Sequence, residues 1–267
     1  MLIVGNPTNI YLATSAGVTF SEYLAVMWLP AIVGGLTGLL MLLLIFRKPL
    51  TAKICKDELS LNSSPTVNKV KLIVSLIHLS VCIILLAISD FLGIEMWIIC
   101  LALFLSLFVF HLIYEIVTKK RIRKTVKVLL KAPYELIPFI LSMFVIVLAL
   151  SKSGVTDIIA DLLVSGNNFD GVKFGFISAL SSNLLNNIPM SVLFEKIVGA
   201  NRYALFGTII GSNVGAFIAS VGALAGIMWG KILSHHGVKI PFYKFVMYGT
   251  AIAIPVLATS TLTLFLI

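Results

Sequence analysis

Two polar stretches interrupt an otherwise strongly apolar sequence. The first, FGFISALSSNLLNNIP, occupies residues 174–189, and the second, GSNVGAFIASVG, occupies residues 211–222. Both place Ser, Asn and Gly where a plain membrane helix would carry Leu and Ile. Irregular polar backbone is tolerated at membrane depth only where it is buried in protein or lines a cavity. Two such interruptions close together in the chain are typical of a transporter site made from broken helices.

The composition restricts this chain to a membrane protein. Of its 267 residues, 59% are hydrophobic and 12% are charged, whereas soluble domains are about half apolar and about a quarter charged. The net charge of +9 comes from basic residues in loops between apolar runs, where cytoplasmic positive charge is expected. Nucleic acid is therefore not an expected partner, and we predict a multi-pass protein of a bacterial cell membrane, in contact with lipid.

Residue types that carry enzymatic or metal chemistry are sparse. Cys55, Cys82 and Cys100 have neither a paired nor a metal-ligand spacing, and no nucleophile with a base or HExxH set is present. We expect no metal site, no cofactor and no enzymatic activity. His111 lies inside an apolar run, where a packed scaffold histidine is favoured over a proton carrier.

The apolar runs predict an all-α protein with several spanning helices. A spanning helix needs roughly 20 apolar residues, and we assign spans to residues 23–46, 72–89, 96–117, 137–150 and 242–267. Residues 155–164 fit an amphipathic helix at the membrane interface. Residues 174–198 are interpreted as a re-entrant hairpin and residues 203–229 as a broken helix. Re-entry is favoured because it puts the basic cluster at 231–244 on the same side as the basic loops at 47–71 and 118–131.

A short internal repeat indicates inverted topology. Residues 17–27 align with residues 237–247 through matching Gly, Val, Tyr, Val and Met, and each segment opens a long apolar helix. One of these helices runs toward a basic loop and the other runs away from one, as inverted repeats require.

The repeat divides the chain into three predicted parts. Residues 1–46 would be the tail of a first repeat, 47–71 a cytoplasmic linker and 72–267 a second repeat whose residues 72–150 are scaffold helices. Most of the first repeat is expected to be missing. A truncated or split-gene product, inactive alone or completed by a separately encoded first half or a second protomer, therefore stays an open alternative.

The polar interruptions supply the candidate binding residues. A helix break frees backbone N–H and C=O groups, and half-helix N-termini attract anions while unwound carbonyls coordinate cations. Ordinary packing of small residues is the alternative interpretation for isolated Ser and Gly. The substrate or ion-binding candidates are Ser181, Ser182, Asn183, Asn186, Asn187, Pro189, Gly211, Ser212, Asn213, Gly215, Ser220 and Gly222, with a first-repeat remnant at Gly5, Asn6, Pro7, Thr8 and Asn9.

Three motifs of the chain together resemble those of a known transporter superfamily. They are SALSSNLLNNIP, the later GSNVGAFIASVGALAGIMW, and GNPTN at residues 5–9. The resemblance is to the ion transporter superfamily of arsenite efflux pumps and of citrate-type and divalent-anion permeases. The resemblance implies two inverted repeats, each with scaffold helices, a re-entrant hairpin and a discontinuous helix. It also implies secondary active transport of a small anion or oxyanion, such as citrate, a dicarboxylate or arsenite, held between hairpin tips and helix breaks. The coupling ion stays open between Na⁺ and H⁺, and an ion channel or intramembrane enzyme is a disfavoured alternative.

Overall fold

The structure, a computed structural model, describes residues 3–51, 68–119, 130, 134, 136–219, 224–235, 237–238 and 240–266. Most of the predicted linker and most of the basic run at 118–131 lie outside this described part, as do Ser220 and Gly222. The described residues form helices joined by turns, and no strand occurs among them. The prediction of an all-α protein is confirmed.

The helices follow in the order α1 (Pro7–Ser15), α2 (Phe20–Ile45), α3 (Arg47–Leu50), α4 (Lys69–Ala87), α5 (Ser89–Leu92), α6 (Met96–Lys119), α7 (Leu136–Lys152), α8 (Val155–Leu163), α9 (Asp170–Leu185), α10 (Asn187–Val198), α11 (Arg202–Gly215), α12 (Leu224–His235) and α13 (Phe242–Leu262). Short 3₁₀ segments occupy Ile3–Gly5 and Thr263–Leu266. Several helices are preceded by an N-cap residue whose side chain accepts a hydrogen bond from a first-turn N–H. These N-cap residues are Asn6, Thr19, Asn68, Asn186 and Asn201.

Four helices in the described part are long and apolar enough to cross a membrane: α2, α4, α6 and α13. A fifth span results if α7 and α8 are counted together, although residues Leu141–Lys152 and Val155–Leu163 are bent by 76° from each other. These helices confirm a polytopic membrane protein.

The chain divides into two compact units. The larger comprises Met1–Ala52 with Ile137–Ile267, and the smaller comprises Lys53–Leu136. In the smaller unit, α4 and α6 pack against each other. In the larger unit the strongest packing joins α9 to α11, followed by α2 to α13.

The two aligned segments of the sequence repeat adopt the same local structure. Gly17 follows α1 with φ of +67°, and Gly237 follows α12 with φ of +80°. The next residue in each case, Val18 or Val238, donates its N–H to a carbonyl five residues earlier, at 2.8 and 2.9 Å. This is a Schellman ending, which favours glycine because glycine alone adopts a positive φ without steric cost.

The helices that follow these glycines, α2 and α13, pack antiparallel. Thr259 donates its hydroxyl to Thr37 at 3.0 Å, and the rings of Phe46 and Tyr248 are 5.1 Å apart. Residue numbers therefore rise along one helix as they fall along the other. Opposite directions for the two copies are what inverted repeats predict.

Helices α9 and α10 form a helical hairpin. The rings of Phe174 and Phe194 are 6.1 Å apart, a distance that requires the chain to reverse between them. It reverses at Asn186, whose φ of +73° makes it the one non-glycine residue with positive φ in the described part. The first helix begins at Asp170, four residues before the predicted start.

The second polar interruption begins later than the sequence suggested, after Gly215, and the next helix, α12, begins at Leu224. Residues Gly211, Ser212, Asn213 and Gly215 were expected to form a break, but α11 continues as helix to Gly215 and the chain leaves the helix only after it. Gly211 and Gly215 instead allow close packing. An ideal Cβ on Gly215 would lie 2.6 Å from Ser182 Oγ and 2.8 Å from the Ala179 carbonyl oxygen, so only glycine fits this distance between α9 and α11.

Asp170 forms hydrogen bonds to the segments that precede and follow the α9–α10 hairpin. Its fully buried carboxylate accepts hydrogen bonds from the backbone N–H groups of Ser165 and Gly166 and from Asn201 Nδ2 at 2.7 Å, and Lys173 Nζ lies 2.9 Å away. Burial alone would raise the pKa of Asp170, but Lys173 and the two N–H donors outweigh it and hold that pKa below its usual value. Sequence reasoning assigned no role to this residue.

Candidate functional site

The first component of the site is the N-terminus of α1, formed by the sequence GNPTN. Asn6 has an extended conformation and its side chain accepts the N–H of Thr8 at 3.1 Å. Pro7 occupies the first helical position, where a missing N–H costs nothing because that group has no helical partner. The start of α1 is therefore a well-defined, capped end of a short helix that carries a partial positive charge.

The tip of the α9–α10 hairpin is built in the same way. The side chain of Asn186 accepts from the N–H of Ile188 at 3.5 Å and caps α10. Pro189, one of the predicted site residues, lies in the first turn of α10. A proline is tolerated there for the reason that applies to Pro7, namely that first-turn N–H groups have no helical acceptor.

Asn213 connects the end of α11 to the start of α1. Its Nδ2 donates to Asn9 Oδ1 at 2.7 Å and to the Ile209 carbonyl at 2.7 Å. Its Oδ1 accepts from Asn6 Nδ2 at 3.2 Å. Three side-chain amides from two segments more than 200 residues apart therefore meet at one point, with Asn9 fully buried.

Asn183 connects the last turn of α9 to the same end of α11. Its Nδ2 donates to the carbonyls of Ala179 at 2.7 Å and Gly215 at 2.9 Å. Its Oδ1 is buried and has no hydrogen-bond partner among the described residues, and the same holds for Oγ1 of Thr8. A buried polar atom without a partner is costly unless a ligand or water satisfies it.

We call these residues, Asn6, Thr8, Asn9, Asn183 and Asn213, the amide cluster. It offers both donors and acceptors, and no charged side chain takes part in its hydrogen bonds. No group of three His, Cys, Asp or Glu side chains suited to a metal occurs in the described part of the chain. The cluster is suited to a small polar or anionic species, because amides bind without fixed charge and helix N-termini attract negative charge.

Several predicted site residues lie in the packing between helices. Ser182 and Ser212 are fully buried and donate to carbonyls three residues earlier, those of Ala179 at 2.9 Å and Ile209 at 3.0 Å. Ser182 lies against Gly215 between α9 and α11. Ser181 is half-buried and Asn187 is buried in the first turn of α10.

Known proteins that are similar in sequence identify the family of this chain. The family model for the arsenical pump membrane protein matches residues 1–267. The chain belongs to the arsenical pump membrane protein family. That family lies within the ion transporter superfamily, so the resemblance seen in the sequence is confirmed.

Individual relatives agree with the family assignment. The "Arsenical pump membrane protein" of Escherichia coli is 28% identical over 271 residues, which cover 96% of this chain and 61% of that protein. A protein of the same name from Yersinia enterocolitica is 27% identical over 268 residues with the same two coverages, 96% and 61%. An "Uncharacterized transporter" of Mycobacterium tuberculosis is 27% identical over 289 residues, covering 99% of this chain and 63% of that protein.

No solved structure matches the chain. The chain spans about three fifths of the length of the curated arsenical pump proteins it matches. Family membership and the apolar helices together make it a multi-pass protein of the cell membrane.

Proposed function

We propose that this chain is part of a secondary transporter that moves a small anion or oxyanion across the cell membrane and binds it at the amide cluster. Arsenite is the first candidate substrate, because the relatives are arsenical pump membrane proteins by name, and citrate or a dicarboxylate is the second. The observation that carries the proposal is the contact of Asn213 with both Asn6 and Asn9, which joins the two repeat-derived segments at a polar point inside an apolar protein.

Two short-helix N-termini belong to this site. The start of α1, capped by Asn6, is in direct contact with Asn213, and α10, capped by Asn186, packs against both α1 and α11. Each N-terminus carries about half a positive elementary charge. The unpartnered oxygens of Thr8 and Asn183 then supply acceptors for a protonated oxygen of the ligand.

A cavity of about 450 Å³ lies at the opposite end of α1. It is lined by the last turns of α1 and α10 and the first turn of α11, including Ser15, Glu195 and Arg202. Helices α1 and α11, which carry residues of the amide cluster at one end, therefore border an opening at the other. We propose that this opening is where substrate enters or leaves.

Transport into everted membrane vesicles tests the proposal. Asn213→Ala and Asn9→Ala should reduce the transport of arsenite, or of citrate, by about tenfold or more, which corresponds to about 1.4 kcal/mol of binding free energy. Asn167→Ala, in an exposed loop, is the matched control and should transport at the unsubstituted rate. Unchanged transport by Asn213→Ala, with normal membrane insertion, overturns the site.

The same assay addresses the alternative that the chain is a fragment. The chain is expressed alone and together with a polypeptide supplying a first repeat. Transport only in the second case supports a fragment that is inactive alone, whereas transport in the first rejects that alternative. Absence of transport of either substrate class in both cases contradicts the proposed function.

A further inference from the structure

A line of polar contacts runs between α4 and α6, far from the amide cluster in sequence. Lys71 Nζ lies 3.2 Å from Glu115 Oε1, Ser75 Oγ lies 3.5 Å from His111 Nε2, and His78 Nε2 lies 3.2 Å from Ser106 Oγ. The three α4 residues are spaced by four and three positions, which places them on one face of the helix. We call these six residues the α4–α6 ladder.

The surroundings of the ladder are apolar. Both helices have the length and composition of membrane spans. Their outward side chains are aliphatic or aromatic and about half exposed, as at Leu76, Ile77, Phe104 and Leu105. Ionisable side chains inside a span are costly and ordinarily mark an ion or proton pathway.

One end of the ladder is a charged pair. Glu115 is only 3% exposed although it lies near the end of its helix, and Lys71 both pairs with it and lies 5.3 Å above the ring centroid of Tyr114. This end adjoins the two loops whose basic residues indicate the cytoplasmic side. The histidines lie one and two helical turns deeper, at positions 111 and 78.

The hydrogen bonds of His78 assign its tautomer. Its Nδ1 lies 2.9 Å from the carbonyl oxygen of Val74, and because a carbonyl only accepts, Nδ1 must carry the hydrogen. In the neutral ring Nε2 is then the basic nitrogen, and it faces the Ser106 hydroxyl in the contact between the helices. The proton-accepting nitrogen of His78 therefore faces α6.

Interhelical adhesion alone does not require this composition. Ser, Thr and Asn side chains suffice to join helices in a membrane by hydrogen bonds. The ladder instead combines two histidines, which change charge between about pH 5 and 8 when unperturbed, with hydroxyls that both donate and accept.

We propose that the α4–α6 ladder is an intramembrane proton-binding relay. A proton from water at the Lys71–Glu115 end passes to His111 and then to His78, where it binds Nε2. The Ser106 hydroxyl, a donor to the neutral ring, then turns to accept from the new N–H. The titratable groups that face one another across the two helices are Lys71, Glu115, His78 and His111, with Cys82 and Cys100 adjacent farther along.

The relay uses no residue of the amide cluster, so the relay and the proposed function can be tested separately. Its test is nitrogen-15 NMR of histidine-labelled full-length chain in lipid nanodiscs between pH 5 and 9. The chain has four histidines, and His78→Gln and His111→Gln assign the two ring spectra of interest. Both rings are expected to pass reversibly from neutral to doubly protonated as the pH falls.

Two further variants distinguish a relay from structural contacts. Ser106→Ala should change the ring nitrogen-15 spectrum of His78, and Glu115→Gln should change that of His111. Ser80→Ala, exposed on the same helix α4, is the control and should change neither. Rings that stay neutral over the whole range in the unsubstituted protein overturn the proposal, as does a Ser106→Ala spectrum identical to the control.

Discussion

The bond between Asn213 and Asn9 allows an energetic test of the amide cluster. Asn213→Ala removes the contacts to Asn9 at 2.7 Å, to Asn6 at 3.2 Å and to the Ile209 carbonyl at 2.7 Å. A hydrogen bond contributes about 0.5–1.5 kcal/mol net, so the single substitution should cost about 2–3 kcal/mol of unfolding free energy. Asn9→Ala removes the same 2.7 Å bond from the other side.

The pair itself is measured by a double-mutant cycle. Side-chain hydrogen bonds in membrane helices average about 0.6 kcal/mol with a maximum of about 1.7. The short distance and the complete burial of Asn9 favour a value in the upper half of that range, so we expect a coupling energy of about 1 kcal/mol. Reversible unfolding in mixed micelles with increasing SDS, followed by far-ultraviolet circular dichroism, gives the four free energies.

A second cycle provides the comparison. Asn9→Ala is combined with Thr37→Ala, which removes a hydroxyl bonded to Thr259 on a different helix pair. These two substitutions share no partner and should be additive within about 0.3–0.5 kcal/mol. An Asn9–Asn213 coupling no larger than that of this control would refute the amide cluster as an interacting unit.

Two other substitutions test the elements that hold the hairpin. The pKa of Asp170 in the folded protein lies below its usual value of 3.8, so the ionised carboxylate stabilises the protein above pH 3.8. This contribution is lost as the pH falls through the folded-state pKa. Asp170→Asn should therefore lower stability at neutral pH and flatten the acid dependence of the circular dichroism signal below about pH 5. Gly215→Ala would force a Cβ against Ser182 and should cost about 1–3 kcal/mol, measured in the same micelles. The control Gly35→Ala, which has open space around its Cβ, should be neutral or stabilising by up to about 1 kcal/mol, and equal stabilities for these two variants would contradict the close packing of α9 and α11.

Much of the fold follows from local properties of the sequence. The spans at α2, α4, α6 and α13 begin and end within a few residues of the apolar runs, because hydrocarbon-facing helices need a fixed length of apolar side chains. The matching glycines at 17 and 237 were visible in the sequence, and both adopt the positive φ that explains them. The chain reverses at Asn186, inside the first polar stretch.

The site was predicted less completely. Asn213 does meet the GNPTN segment, and Asn183 bonds to the same end of α11. Ser182 and Ser212 lie in the packing between helices. Whether a polar side chain on a helix lines a site or contacts another helix depends on which element packs against that side of the helix. The sequence does not specify that element. The α4–α6 ladder was overlooked for the same reason, although the spacing of Lys71, Ser75 and His78 gave a signal that one helix face is polar.

The sequence by itself determined that this protein is helical and spans a membrane several times, since both properties depend on hydropathy or on a residue's own backbone preference. The tertiary structure decided that Asn213 bonds to Asn6 and Asn9 across more than 200 residues. It also decided that Gly215 serves close approach rather than a helix break. Such pairings depend on the angle and distance at which two helices cross. That geometry is set by the packing of all the helices at once and not by any one segment of the sequence.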